Sequence, residues 1–125
     1  MGIKQLPDAE FEAMKAIWHM HEPITSAVLT EHLRRALPQK DWKAQTVLTM
    51  LTRLEKKGFL RSEKNGKERE YFALVSEQDY LQVEQEAFRK RFSVKSFGTF
   101  VKALYDDDCI SDEELQELKD WINGI

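Results

Sequence analysis

Gln45, Thr46, Thr49, Thr52 and Arg53 crowd one short run of the chain, with Lys43 and Ala44 immediately before them. Side chains of these types share one chemistry, hydrogen bonding to a nucleic-acid duplex. A glutamine amide can pair two-pronged with adenine, and a threonine can donate, accept or touch a thymine methyl. Lysine and arginine hold phosphates, which fixes position on the duplex rather than sequence. Gln45, Thr46 and Thr49 are therefore the candidate base readers, Lys43 and Arg53 the candidate phosphate ligands, and Ala44 is counted in the same contact surface. Leu48 falls beside this face, where it either meets a thymine methyl or fills the domain edge. A second basic group follows, Arg61, Lys64, Lys67 and Arg69. Its expected role is contact with the DNA backbone; the competing role is a charged edge that deters strand pairing.

These groups need rigid elements behind them. Val47, Met50, Leu51 and Leu54 recur at i, i+3, i+4 and i+7, one apolar stripe of a helix. Lys56-Lys57-Gly58 ends that helix with cations in its last turn and a glycine to turn the chain. Asn65-Gly66 is the strongest short hairpin signal, since both residues tolerate positive φ in a type I′ turn. That turn would set Lys64 opposite Lys67 and Glu63 opposite Glu68, and like charges across a pair are unfavourable, so the register stays open. Upstream, Asp8 can cap a helix whose apolar face is Phe11, Met14, Ile17 and Trp18. Thr25 or Ser26 can cap a second one, with Val28, Leu29, Leu33 and Leu37 on its core face. The fold class expected is mainly α with a small β-hairpin: a winged helix-turn-helix domain over residues 1–75, then a C-terminal helical region over 76–125.

Composition fits this reading. The net charge of −3 is unevenly spread. Residues 1–31 carry 2 Lys/Arg against 5 Asp/Glu, residues 32–72 carry 11 against 5, and residues 73–125 carry 6 against 12. A basic middle between acidic flanks is the electrostatic footprint of a nucleic-acid site. Charged residues make up 33% of the chain, and no apolar stretch approaches the ~20 residues of a membrane span, so membrane insertion is not expected. The single Cys109 cannot form an internal disulfide, and no secretory signal opens the chain; both favour the cytoplasm. His19, His21 and His32 have no metal-ligand spacing. No Gly-rich phosphate loop or nucleophile motif is present, so neither an enzyme nor a cofactor is expected.

The C-terminal region has a different problem. Phe88, Phe92, Phe97, Phe100, Val101, Leu104, Leu115, Leu118, Trp121 and Ile122 lie at helical spacing in a segment too short to bury them. Burying each large apolar side chain is worth about 1.5–3 kcal/mol. A second copy of the chain is the simplest cover, and it would supply the two-fold symmetry of operator-binding proteins.

Trp42 followed by Lys43-Ala44-Gln45-Thr46-Val47-Leu48-Thr49-Met50-Leu51-Thr52-Arg53-Leu54, then Lys56-Lys57-Gly58-Phe59-Leu60, Tyr71-Phe72-Ala73-Leu74-Val75 and Ile110-Ser111-Asp112-Glu113-Glu114-Leu115, resembles the penicillinase-repressor family, bacterial winged-helix regulators of the BlaI/MecI type. The resemblance runs along nearly the whole chain. It implies a homodimer that binds a palindromic double-stranded DNA operator and represses transcription, with the three C-terminal helices interlocked between protomers. In the antibiotic-resistance members it also implies a membrane sensor protease pathway that triggers cleavage in the dimerisation region. The corresponding segment here is Phe100–Tyr105, with Ala103-Leu104 where those members have a different pair. Two alternatives stay open: a winged-helix module for protein contact, and a regulator answering to a small molecule.

Overall fold

The computed structural model describes residues 2–125, and of Val94 and Lys95 the backbone alone. Its elements in order are α1 (Asp8–Trp18), β1 (Ile24–Thr25), α2 (Ser26–Ala36), α3 (Ala44–Lys56), β2 (Leu60–Asn65), β3 (Glu68–Ala73), α4 (Glu77–Arg91), α5 (Val94–Asp106) and α6 (Asp112–Asn123). Among the described residues, no helix is long and apolar enough to cross a membrane.

Local chemistry sets the helix starts. Thr25 accepts the Val28 N–H at the head of α2, and Ser76 accepts the Asp79 N–H at the head of α4. Ser111 and Glu114 form a reciprocal capping box on α6, as S-x-x-E spacing favours. At α1 the cap position belongs to Pro7 and no side chain caps it; Asp8 is the first helical residue, where its charge favours the helix dipole.

Packing divides the chain between Glu84 and Gln85, inside α4. The first unit holds a helix-turn-helix and a three-stranded antiparallel sheet in the order β1-β3-β2. Met14 and Ile17 of α1, Leu29 and Leu33 of α2, Val47, Leu51 and Leu54 of α3, Phe59, Leu60 and Tyr71 are all buried there. So is Tyr80, against which Phe11, Trp18 and Phe59 pack with ring centroids 5.5, 5.7 and 5.6 Å away. Its hydroxyl accepts the Leu6 N–H at 2.7 Å and donates to Glu84 at 2.6 Å. The division at 75/76 expected from sequence was one of role; in packing, the first turns of α4 are built into the first unit. Val28, expected in the core, is exposed. It stands one position ahead of Leu29 and Leu33, which are i and i+4 on the inward row, and Thr30 is buried behind them with its hydroxyl donated to the Ser26 carbonyl.

The structure fixes the hairpin register that the sequence left open. Asn65 pairs with Glu68, Lys64 with Arg69 and Glu63 with Glu70, so Gly66 and Lys67 form the two-residue turn. Gly66 has φ +67, and no positive φ occurs at Asn65 or Lys67. This is the φ pattern of a type II′ turn, which puts glycine first. The shift removes the Lys64–Lys67 clash and leaves two other like-charge pairs, each relieved by a polar neighbour: Arg61 bonds Glu63, Asn65 bonds Glu70, and Arg69 bonds Ser62.

The second unit, residues 85–125, contains the end of α4 with α5 and α6. No described residue in it is buried.

Candidate nucleic-acid interface

The apolar stripe of α3 is buried as the spacing requires, with Val47, Met50, Leu51 and Leu54 turned into the core. The opposite side is then fixed by geometry. At 3.6 residues per turn, Gln45, Thr49 and Thr52 form the outward row, bordered by Leu48 on one flank and Arg53 on the other. Gln45, Thr46, Leu48, Thr52 and Arg53 are exposed and Thr49 is half-buried. Thr46 lies towards the edge of this face, nearer Met50. Thr52 stands as squarely outward as Gln45 and Thr49, and the helical period alone could have added it to the candidate base readers, while Leu48 lies on the flank of the face, where the sequence placed it.

Both ends of α3 are held. At the front, the Trp42 carbonyl accepts Arg34 Nε at 2.7 Å, and the Trp42 ring is buried beside Lys40, whose Nζ sits 5.7 Å from the ring centroid. The Trp42 indole N–H has no hydrogen-bond partner among the described residues. Lys43 occupies the cap position of α3 without a side-chain cap. The first N–H groups of the helix therefore remain open at its positive end, where a phosphate oxygen is favoured. Lys43 lies 3.8 Å from Asp41 with both side chains in solvent, a pair too exposed to hold it. At the far end, Lys57 Nζ donates to the buried Glu10 carboxylate of α1.

The wing has two faces of different character. Side chains alternate across a strand, and cross-strand partners share a face. Lys64 and Arg69 are partners on the face that carries Ser62 and the buried Tyr71. Ser62 Oγ donates to Glu55 Oε2 of α3 at 2.7 Å, and Arg69 Nη1 donates to Ser62 Oγ at 3.0 Å. That chain ties the basic face of the wing to α3. Burial, with the Glu55 charge adding to it, raises the Tyr71 pKa above its usual 10.0. The other face carries Glu63, Glu68 and Glu70. Arg61 lies there too, bonded to Glu63 at 2.7 Å with its guanidinium 4.1 Å from the Phe72 ring centroid. Among the expected wing cations, the structure thus groups Lys64 and Arg69 with α3, leaves Lys67 at the tip, and sets Arg61 apart. Among the described residues, Arg53, Lys56, Lys64 and Lys67 form no ion pair.

The second unit exposes most of what sequence assigned to pairing. Phe92, Phe97, Phe100, Leu118, Trp121 and Ile122 are exposed, Trp121 by 67%, while Phe88, Val101, Leu104 and Leu115 are half-buried. Phe88 gathers Phe92, Phe97 and Phe100 around it at 4.9, 5.7 and 5.9 Å. Phe88, Phe92 and Phe100 border an open groove of about 510 Å³ completed by Ser96, Thr99 and Ala103. Ala103 is exposed and Leu104 half-buried, both in the helical body of α5. No group of three His, Cys, Asp or Glu among the described residues could hold a metal ion.

Comparison with known proteins is consistent along the chain. A sequence model of the penicillinase repressor family matches residues 6–124. The chain is 35% identical over 116 residues to the penicillinase repressor of Bacillus licheniformis, covering 93% of this chain and 88% of that one. It is 30% identical over 119 residues to the methicillin resistance regulatory protein MecI of Staphylococcus aureus, covering 95% and 94%. Among solved structures it is similar to the DNA binding domain of the repressor BlaI, with TM-score 0.53 and 38% identity over 64% of this chain and 94% of that one. The monomeric form of Bacillus licheniformis BlaI in complex with the blaP half-operator matches with TM-score 0.50 and 38% identity, over 62% and 90%.

Proposed function

The chain belongs to the penicillinase repressor family, and from that membership we propose that it is a cytoplasmic, homodimeric DNA-binding repressor that reads a palindromic operator through the major groove. The observation that carries the reading is α3. Its polar outer row faces solvent while the Arg34–Trp42 bond, the core stripe and the Glu10–Lys57 pair fix its position. Groove-reading side chains need such a rigid support, because base recognition depends on their placement. The solved relative bound to a half-operator supports the DNA partner.

Dimerisation is supported by what the second unit leaves uncovered. Soluble monomers rarely expose large contiguous apolar patches, and each of these rings and aliphatics would contribute about 1.5–3 kcal/mol once covered. A two-fold dimer would present α3 twice, matching an inverted repeat. Release from DNA would follow cleavage within Phe100–Tyr105, triggered through a membrane sensor pathway. That segment lies in the body of α5, so a protease would first have to unwind a turn there.

Two measurements test this. Sedimentation velocity of the full chain at micromolar concentration should give a dimer; a stable monomer would overturn that part. Mobility shift with duplex DNA should give retention that weakens steeply with salt. No retention at low salt would overturn DNA binding and favour a protein-contact module.

A further inference from the structure

Resting on the DNA-reading role proposed above, we infer that α3 selects A·T over G·C base pairs, with Leu48, Thr49 and Thr52 touching thymine methyls and the two threonine hydroxyls accepting hydrogen bonds. The ground for this is where the hydroxyl protons go. Thr49 Oγ1 donates to the Gln45 carbonyl at 3.0 Å, and Thr52 Oγ1 donates to the Leu48 carbonyl at 3.0 Å. A hydroxyl has one proton and two lone pairs. With the proton committed to the helix's own backbone, the oxygen can offer a base edge only lone pairs, and the rest of the side chain is a methyl group.

The major-groove code turns that into a preference. Guanine presents the acceptors N7 and O6, which need donors. Adenine and cytosine present amino donors, and thymine alone presents a methyl. Only an A·T pair offers both a donor for a threonine lone pair and a methyl for apolar contact. Leu48 extends the apolar part of this surface: it is 38% exposed beside the outward row. Gln45 fits the same pair, since its amide suits adenine. No arginine or lysine, the commonest reader of guanine, stands between Gln45 and Thr52; the cations of this helix come at its ends, Lys43 before it and Arg53 and Lys56 in its last turn.

The test uses the full chain and a random duplex pool. The recovered sequence is resynthesised with each thymine in turn replaced by deoxyuridine, which removes only the methyl group and leaves the protein unchanged. The inference expects A·T pairs under α3 and, at one or more thymines in each half-site, a loss of affinity of about fourfold, the worth of one buried methylene-sized group. Leu48→Ala or Thr49→Ser, which keeps the hydroxyl and drops the methyl, should erase that uridine effect at its own base pair, while Thr49→Val should retain it. An inverted repeat with G·C pairs under α3, or indifference to every thymine methyl, would overturn this inference and leave the repressor reading standing. A pool that yields no preferred sequence would overturn both.

Discussion

Lys57, at the C-terminal end of α3, donates to the carboxylate of Glu10, which is buried on α1. Forty-seven positions separate them in the chain, so the pair is a tertiary clamp rather than a helix-surface pair. It fastens the far end of the proposed reading helix to the first helix of the core. The Lys57 backbone N–H also donates to the Arg53 carbonyl, so the clamp lies close to a candidate phosphate ligand.

Removing the lysine should therefore cost more than removing the charge on its partner. Lys57→Met leaves a buried carboxylate unpaired, and a loss of about 3 kcal/mol is expected, the low end of the range for broken buried pairs because Lys57 is partly exposed. Glu10→Gln keeps a hydrogen-bond acceptor and should lose less. Denaturant melts of the two variants check the order; equal and small losses would mean the pair does not hold the helix.

The wing should act through its α3-side face. Lys64→Ala and Lys67→Ala are each expected to lower the slope of log affinity against log salt by about 1, with little change in sequence preference. Arg61→Ala is expected to leave the slope unchanged, because Arg61 is engaged with Glu63 and Phe72 on the other face. Duplex binding measured across a salt series separates them.

Tyr80 should make stability fall in alkali. Burial, with the donated bond to Glu84 adding to it, pushes its pKa from 10.0 up to about 12. The folded state thus holds the phenol proton more tightly than the unfolded chain. The stabilisation is complete below about pH 10 and declines as pH rises towards 12. Tyr80→Phe leaves the buried Leu6 N–H without its acceptor and should cost about 1–3 kcal/mol at neutral pH. The gap between parent and variant should then narrow from pH 10 to 12 in thermal melts.

The turn of the wing gives a sharper backbone test. Gly66 has φ +67 and a methyl there would meet nothing within 4 Å, so Gly66→Ala should cost only the positive-φ backbone penalty, about 1–3 kcal/mol. Asn65→Ala should cost less, since Asn65 does not adopt positive φ in this turn. The reverse order in equilibrium melts would restore the Asn65-Gly66 turn.

How much of this could be read in the residues follows from the range of the interactions. The helical period of Val47, Met50, Leu51 and Leu54 placed α3 and its outer face, because a local repeat encodes a local structure. The cap at Thr25 was legible for the same reason. The hairpin was legible as a hairpin, but two glycine-containing turns compete within Asn65-Gly66-Lys67, and cross-strand charge does not choose between them, because each register sets two like-charge pairs opposite one another. Nothing in the sequence around Glu10 marks it for burial, and Tyr80 falls within the C-terminal region. Their partners Lys57 and Leu6 lie far away in the chain, and no spacing rule connects them. Arg61 looked equivalent to Lys64 and Arg69 until the register put it on the opposite face.

The central claim, that two copies of one helix enter the same duplex groove from symmetric positions, is tested most directly by hydroxyl-radical footprinting of the full chain on its selected duplex. Two equivalent protected patches, related by a dyad and centred ~34 Å apart or a multiple of that, are expected. A single asymmetric patch at saturating protein would contradict it.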